Sequence, residues 1–399
     1  MSPNYHRFKS MKNTGLIFMI LFLMGFSLPP DNEIFIALEK IPFFEKQMLF
    51  QGERFPNVVV AKDGSIIATW GKENCVSRRS IDGGDLWENE VIIGPGINGG
   101  GLTLDENSGD LITFVEKEHP PSTIKCYKSR DTGKTWDRFE IDILPDRNGI
   151  IPSMHMNEHG ISLKSGKFRG RLIRPTRFYN AKNSSERKFM YTSAKEKMWR
   201  GQYTNAIYSD DGGKTWHTSN PFPAKGTGEA ALVELSDGTI YYNSRRHFST
   251  DGLNPRMRHI ATSTDGGHSW EDLYVSEELP DGVQNSDYGL MAGMDRLPFE
   301  GRDILIFSNI ESNNGRKNGT VWLSFDGGKS WPVKKLVEKD GFKYSSLAVG
   351  RKNTPSEGYI YLLYETGTKD NINAYGGGKI VRFNLSWLME GKDINQYLK

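Results

Sequence analysis

The chain has 399 residues, a formal charge of +2, 43 glycines, 12% aromatic residues and two cysteines. That balance offers no field for nucleic acid or a strongly acidic partner, and two cysteines build neither a disulfide framework nor a cysteine-based zinc site. Short apolar runs broken by Asp-Gly and Gly-Gly read as an all-β protein with many tight turns, long enough for one large domain or two small ones.

At the start, His6, Arg7, Lys9 and Lys12 precede an apolar stretch over residues 15–28. The stretch is short for a bilayer span and, with its basic flank, suits a secretory signal peptide over residues 1–30; a retained short anchor is the alternative. Met11 would serve as a second start, and no cysteine follows to take a lipid. The expectation is a secreted or periplasmic protein with no stable membrane span after cleavage, its folded domain occupying residues 31–399. Cys75 and Cys126 could pair once exported, which spacing does not decide.

One octapeptide pattern then recurs five times: Ser, any residue, Asp, any residue, Gly, two more, Trp. The copies run Ser80 to Trp87, Ser129 to Trp136, Ser209 to Trp216, Ser263 to Trp270 and Ser324 to Trp331. Each follows a short apolar strand. The Asp can accept backbone N–H bonds inside a turn, the Gly takes a positive φ, and the Trp packs on neighbouring strands. The spacing admits about four strands per copy, the signature of a β-propeller. The long gap between Ser129 and Ser209 leaves room for a unit without the octapeptide, so six blades is the expected count. Helical periodicity is expected only near the end, at residues 385–391.

Several stretches could carry chemistry. Residues 228–245 form two apolar strands about an Asp237-Gly238 turn, and a hairpin brings its outer ends, Glu229 and Arg245, side by side. Arg54 precedes Phe55-Pro56 and a strand, and Arg316 precedes Lys317-Asn318-Gly319-Thr320. Tyr344 stands in Tyr-Ser-Ser-Leu and Glu365 in Leu-Tyr-Glu. Taken singly, an arginine at a strand end is a surface residue and a strand tyrosine is core. Three arginines at comparable places in different blades can meet at one channel mouth.

These stretches resemble the sialidase (neuraminidase) superfamily over roughly residues 45–388, with its six-bladed propeller and five Asp boxes. Arg54 resembles the arginine of the family's Arg-Ile-Pro motif, with Phe55 in place of the usual Ile. Arg245 and Arg316 resemble the second and third arginines, Glu229 and Tyr344 the catalytic Glu and Tyr, and Glu365 the acid that holds the first arginine. The resemblance implies an exo-acting hydrolase of a terminal acidic sugar such as sialic acid, with a glycan as partner and no metal or cofactor. Three guanidiniums suit a carboxylate, and a tyrosine activated by a Glu avoids repulsion between the sugar carboxylate and a carboxylate nucleophile. A hydrolase of another carboxylated sugar, and a carbohydrate-binding propeller without turnover, are the alternatives.

The family's acid/base Asp lies on a loop between the first motif and the first octapeptide. Here that link, residues 71–77, is short and has no Asp. Two places could supply the proton: Glu73, in the link itself, and the stretch His155-Met-Asn-Glu158-His159, which is preferred because histidine titrates near neutrality. The same stretch matches the H-x-x-E-H metalloprotease string, but that chemistry needs a helix. Gly160 and the alternating Ile161-Ser-Leu163 make it a loop entering a strand.

Overall fold

The computed structural model describes residues 41–398, apart from 194, 285–288 and 300. The expected signal peptide, residues 1–30, lies outside the described residues. Among the described residues no helix is long and apolar enough to cross a membrane.

The described strands fall into five sheets. The first is an antiparallel meander of Asn57–Val60, Ile66–Trp70, Asn74–Ser80 and Val91–Pro95. The second centres on Leu111–Glu116 and Ile124–Ser129, the third on Leu172–Phe178 and Tyr203–Ser209. The fourth orders Thr227–Glu234, Ile240–Arg246, Met257–Ser263 and Glu271–Pro280. The last sheet has seven strands, because the long strand Val333–Val349 changes partner along its length. Up to Gly341 it pairs with Lys317–Ser324, and from Phe342 with Tyr359–Thr366. Two successive meanders thus share one strand, and Phe44–Gln51, from the start of the described chain, pairs on the far edge with Gly377–Asn384.

Core lies between facing sheets. Ile66, Ala68 and Trp70 of the first pack with Tyr361 and Leu363 of the last. Leu232, Ile240 and Tyr242 of the fourth pack with Ile173 and Ala206 of the third, and Val233 and Tyr241 meet Met294, Phe307 and Trp322 on the other side. Both faces of each sheet are therefore covered, which is why the inner strands read as nearly continuous apolar runs.

All five octapeptides close alike. The Ser hydroxyl donates to the Asp carboxylate at 2.8 Å in every copy and accepts from the N–H of the Gly four residues on at 2.8–3.0 Å. Each sits on the turn between the last two strands of its meander.

Two expectations are corrected here. The gap between Ser129 and Ser209 holds no extra sheet; the meander without an octapeptide is the last one, completed by Phe44–Gln51. The gap instead carries two helices, Ser184–Ser193 and Lys195–Gly201, where only a terminal helix was expected. Their start is capped: Asn183 Oδ1 accepts from Glu186 N at 2.9 Å while the Glu186 carboxylate accepts from Lys182 N at 2.6 Å. The expected terminal helix forms at Leu385–Met389. Cys75 and Cys126 are buried free thiols in separate packing clusters.

Candidate active site

The inner strands converge on Glu158. Its Oε1 accepts from Ser346 Oγ at 2.8 Å and Leu347 N at 2.9 Å, and its Oε2 from Asn57 Nδ2 at 3.2 Å. Its own N–H donates to Ala230 O at 2.9 Å. One carboxyl thus ties together the loop before the third sheet and the leading strands of the first, fourth and last. Burial raises its pKa well above the ordinary carboxylate range, only partly offset by those donors.

On one side of this junction opens a cavity of about 650 Å³. Arg54, Glu229, Arg316 and Tyr344 line it; Glu365 and Arg245 stand behind its wall. Two irregularities place the central pair. On the fourth sheet Thr227 pairs with Arg246 and Ala230 with Ser244, so Gly228 and Glu229 together oppose Arg245. On the last sheet Phe342 pairs with Thr366 and Ser345 with Tyr364, so Lys343 and Tyr344 together oppose Glu365. A two-against-one bulge breaks strand alternation and re-aims a side chain. Gly228 is required at the first bulge, since a Cβ there would collide with the His247 ring.

Glu229 is gripped by cations. Arg245 Nη1 donates to Oε2 at 2.8 Å, Arg177 Nη1 lies 3.0 Å from Oε1, and His247 Nε2 lies 3.6 Å from Oε2. Burial opposes ionisation of this carboxyl, but Arg245 and Arg177 outweigh it and hold the pKa well below the usual range. Glu229 is therefore an anion at any ordinary pH.

Tyr344 is 7% exposed, with the Arg54 and Arg316 guanidiniums at 5.5 and 5.4 Å from its ring centroid. Glu365 fixes Arg54 through a two-point bond, Nε to Oε1 at 3.0 Å and Nη2 to Oε2 at 3.3 Å. Glu365 Oε1 also accepts from Phe55 N at 3.0 Å, holding a residue whose φ of 68° turns the chain into the left-handed region. Burial works against the Arg54 charge, yet Glu365 brings the net pKa shift upward. Tyr375, 40% exposed, lies against the outer face of Arg54, 3.6 Å from guanidinium to ring centroid.

The sequence reading missed several wall residues. Arg177 lies on Leu172–Phe178 and grips Glu229 from the side opposite Arg245. His247 follows Ile240–Arg246, and the helical insertion adds Arg187 and Trp199. Lys343 donates to the carbonyls of Ala374 at 2.6 Å, Ile372 at 2.9 Å and Thr366 at 3.5 Å. Burial, with Arg316 and Arg54 nearby, brings its pKa down to about 8 against the opposing pull of Glu365. His119 comes from the loop between Leu111–Glu116 and Ile124–Ser129. The alternating Arg174-Pro-Thr-Arg177 before an aromatic pair was a usable signal for Arg177; His119, beside two prolines in a loop, gave none.

The structure treats the two expected proton donors differently. Glu73 is exposed on the turn after Trp70 and is not on the cavity wall. The 155–159 loop is divided by the central junction. His155 and Met156 reach the large cavity, Glu158 is consumed at the junction, and His159 faces a separate cavity of about 170 Å³. His155 is 0% exposed, its Nδ1 bonded to the Asn98 carbonyl at 3.1 Å, so Nδ1 carries the ring proton. Burial pushes its pKa down to about 3, and it stays neutral.

A family model described as a BNR repeat-like domain matches residues 99–362. The sialidase of Micromonospora viridifaciens is 28% identical over 410 residues, covering 92% of this chain and 56% of that protein. The sialidase of Bacteroides fragilis is 29% identical over 322 residues, covering 72% of this chain and 53% of that protein. The chain thus spans about half the length of these relatives. Among solved structures, a leech intramolecular trans-sialidase in complex with 2,7-anhydro-Neu5Ac superposes with a TM-score of 0.64 at 15% identity, covering 87% of this chain and 71% of that one. The Hadza microbial sialidase Hz136 gives 0.62 at 21%, covering 84% and 66%. At such identities the likeness speaks for a shared fold.

Proposed function

Because this chain belongs to the BNR repeat-like family of the sialidase superfamily, we propose that it is an exo-acting glycoside hydrolase removing a terminal acidic sugar, sialic acid first, from a glycan. On this reading its sheets are six blades around one axis, five bearing the octapeptide as an Asp box and the sixth completed by Phe44–Gln51. Residues 1–30 direct export, and the enzyme is secreted or periplasmic.

The observation that carries the reading is the pair of guanidiniums, Arg54 and Arg316, flanking the Tyr344 ring on a wall shared with Glu229. The sugar carboxylate lies between those two arginines, with Arg245 completing the recognition from behind Glu229. Tyr344 Oη bonds to the anomeric carbon while Glu229 takes up the phenol proton. The guanidinium grip makes Glu229 a weak base in the empty cavity. A carboxylate bound between Arg54 and Arg316 adds negative charge to the same wall and shifts Glu229 toward the ordinary range, so the base gains strength when substrate is bound.

Turnover of aryl glycosides of sialic acid and of other carboxylated sugars tests the reading, and the sugar cleaved identifies the substrate. The second reading, a carbohydrate-binding propeller, draws on the tight Gly71 turn that leaves no room for the family's acid loop. Saturable binding of an acidic sugar with no turnover by the wild type would favour it.

A further inference from the structure

The proposed chemistry needs a group to protonate the departing oxygen, and we infer that His119 is that group. The inference rests on the hydrolase reading. Among the described residues of the cavity wall, His247, Lys343 and His155 are each tied to other groups or more deeply buried. His247 holds Gln202 through Nδ1 at 2.9 Å and faces Glu229 with Nε2. Lys343 spends its three donors on three carbonyls. His155 keeps an unpartnered Nε2, but its Nδ1–H is committed to Asn98 O and its ring is fully buried between Phe55 and His119, at 4.6 and 4.7 Å between centroids, whereas His119 is half-buried. Burial pushes the Tyr179 phenol up, so it holds its proton too tightly for an acid working near neutrality.

His119 is half-buried on the wall, and its Nδ1 is buried with no hydrogen-bond partner. Its position relative to the nucleophile follows from a run of contacts. Tyr344 meets Arg54, Arg54 meets Phe55 at 4.5 Å, Phe55 meets His155, and His155 meets His119. That run places the imidazole on the same cavity wall as the phenol, with Arg54, Phe55 and His155 between them. The imidazole is contributed by the second sheet, whereas Tyr344 belongs to the last. A glycoside lying along this wall would turn its anomeric carbon toward the phenol and its leaving-group oxygen toward the imidazole.

The groups facing His119 are the His155 and Tyr179 rings and the guanidiniums of Arg187, Arg177 and Arg54. Burial first, and then His155 and these cations, keep the ring neutral in the empty cavity. A bound carboxylate offsets the cations and so shifts the ring toward its protonated form in the substrate complex. In the first half-reaction the bond from the anomeric carbon to the leaving-group oxygen breaks. That oxygen takes the imidazolium proton as Tyr344 Oη bonds to carbon and Glu229 receives the phenol proton. In the second half, neutral His119 takes a proton from water, whose oxygen bonds to carbon. The Tyr344–carbon bond breaks as that bond forms, and Glu229 returns its proton to the phenolate.

The experiment offers the acidic sugar with two leaving groups, 4-methylumbelliferone, which departs unaided, and lactose, which needs the proton. The variants are His119→Gln and His119→Ala, with thermal unfolding reporting their folded state. For His119→Gln, kcat/KM on the lactose substrate is expected to fall about 10²–10³-fold and on the aryl substrate less than about tenfold. Added imidazole should restore lactose turnover in His119→Ala. The alkaline limb of the wild-type kcat/KM profile, expected below the ordinary histidine pKa of about 6.5, should disappear in both variants. Equal losses on the two substrates in a folded variant, or no loss on lactose, would overturn the assignment. A wild type that cleaves neither substrate would instead bring down the hydrolase reading, and the inference with it.

Discussion

The octapeptide corners and the cavity wall solve the same problem, a carboxylate that needs donors, in opposite ways. At each corner the Asp is satisfied within eight residues by a Ser hydroxyl and by turn N–H groups, such as Thr215 N on Asp211 at 2.9 Å. Burial disfavours these anions, yet the turn's own donors hold their pKa values below the ordinary range. On the cavity wall Glu229 and Glu365 are satisfied by guanidiniums, Arg54 lying 311 residues from its partner. Backbone donors are fixed by the fold and have no second partner to choose. Arginine side chains can be shared with an incoming anion. The corners are thus built for stability, and the wall is built to exchange partners.

That contrast is sharpest at Arg54. Arg54→Lys keeps the charge but loses the two-point bond to Glu365, so kcat/KM on an acidic aryl glycoside should fall about 100-fold or more, close to the loss in Arg54→Ala. A lysine variant within a few-fold of wild type would show that only charge matters there. Next in size is the junction itself. Glu158→Ala leaves Ser346 Oγ and Leu347 N without their acceptor, removes one of two from Asn57 Nδ2, and should cost about 3 kcal/mol in urea unfolding, while Glu158→Gln should cost markedly less.

A smaller, pH-dependent effect is expected at Glu116. Its Oε1 accepts from Ser153 Oγ and Met154 N, each at 2.7 Å, while its Oε2 is buried without a partner. Burial raises its pKa to about 7 against those donors. Between the ordinary value near 4.5 and about 7, the folded state holds a proton that the unfolded chain has released. Its contribution to stability is therefore present at low pH and lost as pH rises through 7. Glu116→Gln should flatten the fall in Tm between pH 5 and pH 8; an unchanged slope would assign that fall to other groups. The smallest effect belongs to a corner. Asp211→Ala removes bonds to Ser209 Oγ and Thr215 N and should cost about 1–2 kcal/mol of stability with kcat unaltered.

The same division explains what could be read from sequence. The octapeptides and the Asp237-Gly238 hairpin are local, so residue order alone specified their turns. The Arg54–Glu365 pair and the placing of Tyr344 were legible only through resemblance to a family, because no local rule joins residues so far apart. The bulges that aim Glu229 and Tyr344 carry no residue signature beyond Gly228. Arg177, His119 and His247 become site residues only through tertiary contact. The helices in the Ser129–Ser209 gap had a signal that went unread. Residues 184–199 contain no Gly or Pro, and an Asn183-x-x-Glu186 cap precedes them. The 155–159 loop misled because its residue types fit acid–base chemistry, while the fold sends its members in three directions.

The central claim is that Tyr344 is the nucleophile of a wall organised around a carboxylate. It is tested most directly by measuring kcat on an acidic aryl glycoside and the affinity for the free acidic sugar, in wild type and in Tyr344→Phe. The account predicts that the variant loses kcat by about 10³-fold or more while binding stays within a few-fold, since the ring and both flanking guanidiniums remain. A variant that keeps its turnover, or one that loses binding and turnover in equal measure, would contradict it.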